Sequence, residues 1–156
     1  MEVSGSKALK VDAKGRLFLP KNVLEPEPEQ DGYKKVATQF WLTPGLDGCL
    51  WLLDQAEWRR LQRRLRASDI GDAKLRAVQR LFFELADRVR VDAQGRILLS
   101  EAHRKLAKIT DRATLLGVAR RIEIWDPATY DAYKGAVGPN WFKDLEAILS
   151  GEEGPM

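Results

Sequence analysis

Short alternating runs of apolar and polar residues flank one turn that occurs twice in the chain. Residues 8–11 (Ala-Leu-Lys-Val) lead into Asp12-Ala-Lys-Gly15, and Arg16-Leu-Phe-Leu19 leaves it; residues 88–91 (Arg-Val-Arg-Val) lead into Asp92-Ala-Gln-Gly95, and Arg96-Ile-Leu-Leu99 leaves it. A period of two predicts strands, and Asp-Ala-x-Gly between two such runs predicts a hairpin. A short helix is predicted over 101–107, with a shorter counterpart at 21–24. Strands follow over 35–42 and 113–116, then over 49–53 and 122–125. Asp54 and Asp126 stand where an N-cap belongs, each opening a helix.

Elsewhere the period lengthens to that of a helix. Trp58, Leu61 and Leu65 form one apolar stripe on a helix predicted from 55 to about 67, and Arg59, Arg60, Arg63, Arg64 and Arg66 crowd its other face. A further helix over 72–86 carries Leu75, Val78, Leu81, Phe82 and Leu85. The last, over 140–149, carries Trp141, Leu145, Ile148 and Leu149, and a frayed tail is expected beyond it.

These elements recur in one order because the chain is a tandem duplication. Lys10-Val-Asp-Ala-Lys-Gly-Arg-Leu-Phe-Leu19 aligns with Arg90-Val-Asp-Ala-Gln-Gly-Arg-Ile-Leu-Leu99, a shift of 80. Further on, residues 45–54 align with 117–126 at a shift of 72, and an aromatic follows four residues after each Asp, Trp58 in one copy and Tyr130 in the other. The shift changes because the first copy carries extra residues, placed at the proline-bearing acidic stretch 25–32 and read as a solvated loop. One copy offers about four short strands with unpaired edges, so two copies are expected to exchange hairpins within one shared barrel. The units are residues 7–54, 55–86 as connecting helices, 87–126, and 127–156 as C-terminal helix and tail.

Composition narrows the class. Over 156 residues, 44% are apolar and 31% charged, as in a folded protein. No apolar run approaches a membrane span and no export signal is visible, so a cytoplasmic protein is expected. The net charge of +3 permits nucleic-acid binding without proving it. Cys49, the lone cysteine, is read as a small buried or half-buried side chain, and the lone histidine, His103, as a surface residue. No metal cluster, cofactor loop or catalytic constellation is visible, and Gly45-Leu-Asp-Gly48 reads as a turn, so the chain is not expected to be an enzyme.

Candidate chemistry therefore lies in the twin turns. Asp12 and Asp92 can fold a carboxylate onto backbone N–H groups, while Gly15 and Gly95 supply a positive φ. Arg16 and Arg96 then open the returning strands, where a guanidinium can address guanine edges or phosphates. Lys7, Lys10 and Lys14 flank the first turn, and Arg88, Arg90 and Arg104 are placed near the second. The residues alone leave two readings open, a DNA contact or an ordinary turn with a surface arginine. The arginine face of the 55–67 helix is a rival basic patch, read first as a solvated face.

Five segments in order, covering about residues 7–149, resemble the MraZ family. They are the two Asp-x-x-Gly-Arg turns, the Gly45-Leu-Asp-Gly-Cys-Leu50 block, Gln79 to Phe83, and Arg121-Ile-Glu-Ile-Trp125. The resemblance implies an α+β fold of two tandem SpoVT/AbrB-like repeats, forming one intertwined swapped-hairpin (double-split) β-barrel with helices around it. It implies a nucleoid-associated transcription regulator that binds short direct repeats in the promoter of a division and cell-wall gene cluster, as a repressor, from an oligomeric ring. The family's Asp-x-x-x-Arg motif maps onto Asp12 to Arg16 and Asp92 to Arg96, with Lys14 and Lys10 beside the first. Gln94 replaces Lys14 and Ser100 replaces Pro20 in the second copy, so unequal contacts are expected. An antitoxin is a poorer reading, since it calls for one module and a disordered tail; a protein-binding ring or scaffold is the alternative function.

Overall fold

Each repeat lays down two short strands around its turn, a short helix, two more strands and then helix. The computed structural model describes residues 1, 3–25, 37–66 and 71–151. In the first repeat these are β1 (Val3–Lys10), β2 (Arg16–Phe18), α1 (Lys21–Leu24), β3 (Gln39–Pro44) and β4 (Leu50–Leu53). Next come α2 (Gln55–Arg66) and α3 (Ala73–Glu84). The second repeat holds β5 (Asp87–Arg90), β6 (Arg96–Leu98), α4 (Glu101–Ala107), β7 (Arg112–Ala119) and β8 (Arg121–Trp125), followed by α5 (Pro127–Val137) and α6 (Trp141–Ser150). The expected loop at 25–32 lies outside the described residues from 26 onward, as do 35–36 of the predicted third strand and 152–156 of the tail.

The strands around each turn do not pair as a simple hairpin, which corrects the first expectation. β1 pairs with β7 and β5 pairs with β3, so each incoming strand joins the other repeat. The outgoing strands β2 and β6 leave that sheet and pair with one another. Within each turn one strand-like backbone bond spans the two arms, Asp12 N–H to Arg16 O at 2.9 Å and Asp92 N–H to Arg96 O at 2.8 Å. The tight loop turns β2 out of the plane of β1, and the other copy supplies its partner. Strands of each repeat thus pair with the other, in an antiparallel sheet ordered β1-β7-β8-β4-β3-β5. Its hydrogen bonding is open, with β1 and β5 at the ends.

The two-stranded ribbon covers the sheet through its inner face. Leu17 and Ile97 lie opposite each other in register and are fully buried, with Leu19 and Leu99 beyond them. They join Leu42, Leu50, Leu52, Ala113, Ile122 and Ile124 in one core. Each buried leucine or isoleucine contributes about 1.5–3 kcal/mol by leaving water.

The helices follow the predicted caps. Asp54 accepts from the Glu57 N–H (2.9 Å) and Asp126 from the Thr129 N–H (3.0 Å). The aromatics four residues on pack as anchors: Trp58 stacks on Trp41 at 4.2 Å, and Tyr130 lies 5.0 Å from Trp125. No helix among the described residues is long and apolar enough to cross a membrane.

Cys49 is buried, and that burial pushes its thiol pKa up to about 12. His103, expected on the surface, is instead buried at 1% exposure. Its Nε2 lies 2.6 Å from the Leu85 carbonyl, which can only accept, and Nδ1 lies 2.7 Å from Ser100 Oγ. Ser100 also caps α4 by accepting from the His103 N–H at 3.2 Å. The imidazole thus ties α4 to the end of α3; a run of Arg104 and Lys105 beside it hid this from the sequence pattern.

Candidate nucleic-acid interface

Both turns are wound by one aspartate each. Asp12 Oδ1 accepts from the backbone N–H groups of Lys14 (3.0 Å) and Arg16 (2.9 Å), while Oδ2 accepts from Arg16 Nε at 2.8 Å. Asp92 does the same with Gln94 (2.9 Å), Arg96 (2.9 Å) and Arg96 Nε (2.8 Å). Gly15 and Gly95 hold φ of 87° and 84°, the left-handed region that closes each loop. The Arg16 backbone N–H does most to hold the Asp12 carboxyl below its ordinary value, against a smaller opposing effect of burial and helped by the Arg16 guanidinium and the Lys14 N–H. Arg96 and Gln94 act on Asp92 in the same way.

Such an aspartate aims its arginine. The ion pair uses Nε, so both terminal nitrogens of each guanidinium are left for an outside acceptor, among the described residues. Arginine held in this way loses less freedom when it meets a planar acceptor.

The ribbon then brings the two turns together. Leu19 N–H donates to Gly95 O (2.9 Å) and Leu99 N–H donates to Gly15 O (2.8 Å), so each outgoing strand is pinned to the opposite turn. Arg16 stands opposite Leu98, and Phe18 opposite Arg96. Since Leu17 and Ile97 face the core, the pleat turns Arg16, Phe18, Arg96 and Leu98 to the outer face. Arg16 and Arg96 sit on a diagonal of that face, about 7–8 Å apart at the backbone. One surface results, not two separate sites.

Cations border it. Lys10, at the end of β1, lies in register with Arg112 of β7, and both line a groove with Val11, Asp12, Arg16, Phe18, Arg96 and Asp111. Lys14 is exposed at the tip of the first turn. On the other side Arg88 and Arg90 line a hollow with Leu98, Ser100 and His103, and the Arg88 guanidinium also lies over the Trp41 ring at 5.3 Å. Arg104, placed near the second turn by sequence, crosses to the first. A Cβ on Gly15 would lie 2.8 Å from Arg104 Nε, and that Nε donates to Leu99 O at 3.2 Å. The strand exchange carries it there.

Three members of this surface were not picked out from sequence. Arg112 reaches it only through the β1–β7 pairing. Phe18 and Leu98 sit inside apolar runs, where strict alternation from Leu17 and Ile97 turns both outward. The five arginines of α2 are exposed, and Arg60 pairs with Glu57 at 3.3 Å.

Comparison with known proteins adds an independent line. The chain matches the family described as "MraZ protein, putative antitoxin-like" over residues 3–81 and again over 82–140. It is 34% identical over 139 residues to the Transcriptional regulator MraZ of Heliobacterium modesticaldum, covering 89% of this chain and 91% of that one. Its identity to the protein of the same name from Acetivibrio thermocellus is 38% over 125 residues, covering 80% and 81%. With Desulfitobacterium hafniense the figures are 37% over 140 residues, 90% and 92%. A double match that takes in both turns, together with relatives covered almost end to end, means that the chain belongs to the MraZ family.

Proposed function

We propose that this protein is a sequence-specific DNA-binding transcriptional regulator that lays its β2–β6 ribbon in a DNA major groove. The observation that carries this reading is the pair of aspartate-held arginines on one exposed ribbon face. A two-stranded ribbon is an element that fits a groove about 12 Å wide, and an arginine there pairs with guanine through two parallel bonds. Arg16 and Arg96 are the base readers; Lys14 and Lys10 neutralise phosphate; Asp12 and Asp92 aim the arginines. The names of the relatives, transcriptional regulators of the MraZ family, support the same role.

The same exchange of strands supports a finer reading. Residues 7–54 and 87–126 act as two SpoVT/AbrB-like modules, and the ribbon closing over the open sheet makes them one swapped-hairpin barrel. Self-assembly into a ring is supported by α6, which exposes Trp141, Phe142, Leu145, Ile148 and Leu149. So much apolar surface on one helix marks an interaction face. A ring would engage several short direct repeats at once, raising avidity by about 10² or more without new contacts. Such a protein acts in the cytoplasm at the nucleoid, as a repressor of its own division and cell-wall gene cluster.

A gel shift on the DNA upstream of the chain's own gene tests this. Binding should fall steeply with salt, as counterion release requires. The Arg16→Ala/Arg96→Ala double variant should lose more than the roughly tenfold that one bidentate base contact carries. Unchanged affinity with the assembly intact would overturn the reading and favour a protein-binding ring using the α2 arginine face.

A further inference from the structure

Two large apolar side chains stand on the outer ribbon face, Phe18 at 54% exposure and Leu98 at 52%. They hold equivalent positions in the two repeats, and single exposed apolar residues elsewhere call for no explanation. Here both are placed at the corners of one small quartet. Arg16 and Arg96 take one diagonal, Phe18 and Leu98 the other. The Arg96 guanidinium lies over the Phe18 ring, 5.7 Å from its centroid. Neither apolar residue belongs to the buried core, so the fold gains little from them.

We infer that Phe18 and Leu98 are specificity residues, each taking the 5-methyl group of a thymine in the major groove beside a guanine held by an arginine. This deepens the proposed function and rests on it. Among the base edges in that groove, the thymine methyl is the one apolar feature. Each arginine has an apolar neighbour directly across the ribbon, at about 5 Å, and another two residues along its own strand, at about 7 Å. Successive bases rise about 3.4 Å, so those offsets correspond to one or two base steps. The quartet therefore recognises guanine with thymine close by. A face that met only phosphates would gain nothing from a phenyl ring and an isobutyl group at these corners.

The experiment uses the full chain and a random-sequence duplex library, from which bound duplexes are selected and one enriched duplex is taken as probe. Each thymine of that duplex is replaced in turn by uracil, which deletes only the methyl. For the unaltered protein, uracil next to an essential guanine should weaken binding about three- to tenfold, the weight of one buried methyl-sized group. Phe18→Ala and Leu98→Ala should each lose the sensitivity to uracil at one thymine while still requiring the guanine. Both positions are exposed, and the uracil series on the unaltered protein needs no variant at all. If every uracil duplex binds like its parent while Arg16→Ala still lowers affinity, the inference fails and the proposed function stands. Uracil sensitivity that persists unchanged in both variants would place the methyl reader elsewhere and also overturn the inference. If no duplex is enriched, both fall together.

Discussion

The turn at Asp12–Arg16 and the turn at Asp92–Arg96 make matching bonds, each aspartate gripping two backbone N–H groups and one guanidinium at 2.8–3.0 Å. They differ in what the opposite repeat packs on them. Over Gly15 lie the Leu99 carbonyl and Arg104; over Gly95 lies a methyl group of Leu24. Leu24 and Arg104 hold the same place in their repeats, at a shift of 80. Exchange of strands thus gives the first turn a second cation, next to its own Lys14, while the second turn has Gln94 and an aliphatic lid. Duplication copied the device, and divergence at one helical position changed the field around its partner.

The largest effect that can break this comparison is steric. Both glycines have a positive φ, so alanine at either is strained by about 1–2 kcal/mol. At Gly15 the new Cβ would also stand 2.6 Å from the Leu99 carbonyl, against 3.1 Å from a mobile Leu24 methyl at Gly95. Gly15→Ala should therefore lose about 3 kcal/mol or more and Gly95→Ala about half that, measured by denaturant unfolding, since a backbone atom yields less than a side-chain end. Equal losses would mean that the two lids are equally soft.

Next in size is the split between the arginines. Arg16→Ala should lower affinity for promoter DNA by about tenfold or more. Arg96→Ala should lower it less, because Gln94 and Leu24 add no positive charge around that turn. A larger effect for Arg96→Ala would invert the comparison.

The smallest effect should be shared by both turns. The Asp12 and Asp92 carboxyls are held below their ordinary value of 3.8, chiefly by the backbone N–H of the arginine four residues on. A lowered value in the folded state means stability that is complete above the ordinary value and is lost as pH falls through the lowered one. The turns should thus be insensitive to pH near neutrality and loosen only in acid, equally in both copies. Carboxyl titration followed by NMR checks this, and a value at or above the ordinary one in either turn would show its aspartate–arginine clamp to be open in solution.

Most local structure was legible in the chain. Alternation placed the strands, Asp54 and Asp126 marked helix starts, and Trp58, Leu61 and Leu65 marked the inner face of α2, because these depend on residues within a turn or two of each other. The Asx winding of Asp12 and Asp92 and the positive φ of Gly15 and Gly95 were legible for the same reason. What pairs with what was not. A three-residue strand such as β2 carries no mark of its partner, so the hairpin drawn between neighbours gave way to a ribbon between repeats. His103 was misplaced because its neighbours in sequence are cations while its neighbours in space are Ser100 and Leu85.

The sequence by itself determined the duplication, the elements and the chemistry of each turn, since those follow from short-range backbone preferences and hydrogen bonds. Only the tertiary structure decided that the two turns share one face, that Arg104 crosses to the first and Arg112 borders the groove, and that Phe18 and Leu98 look outward between the arginines. Those facts rest on burial. Leu17 and Ile97 must leave water together, and the register that buries them leaves the outer face to four other side chains.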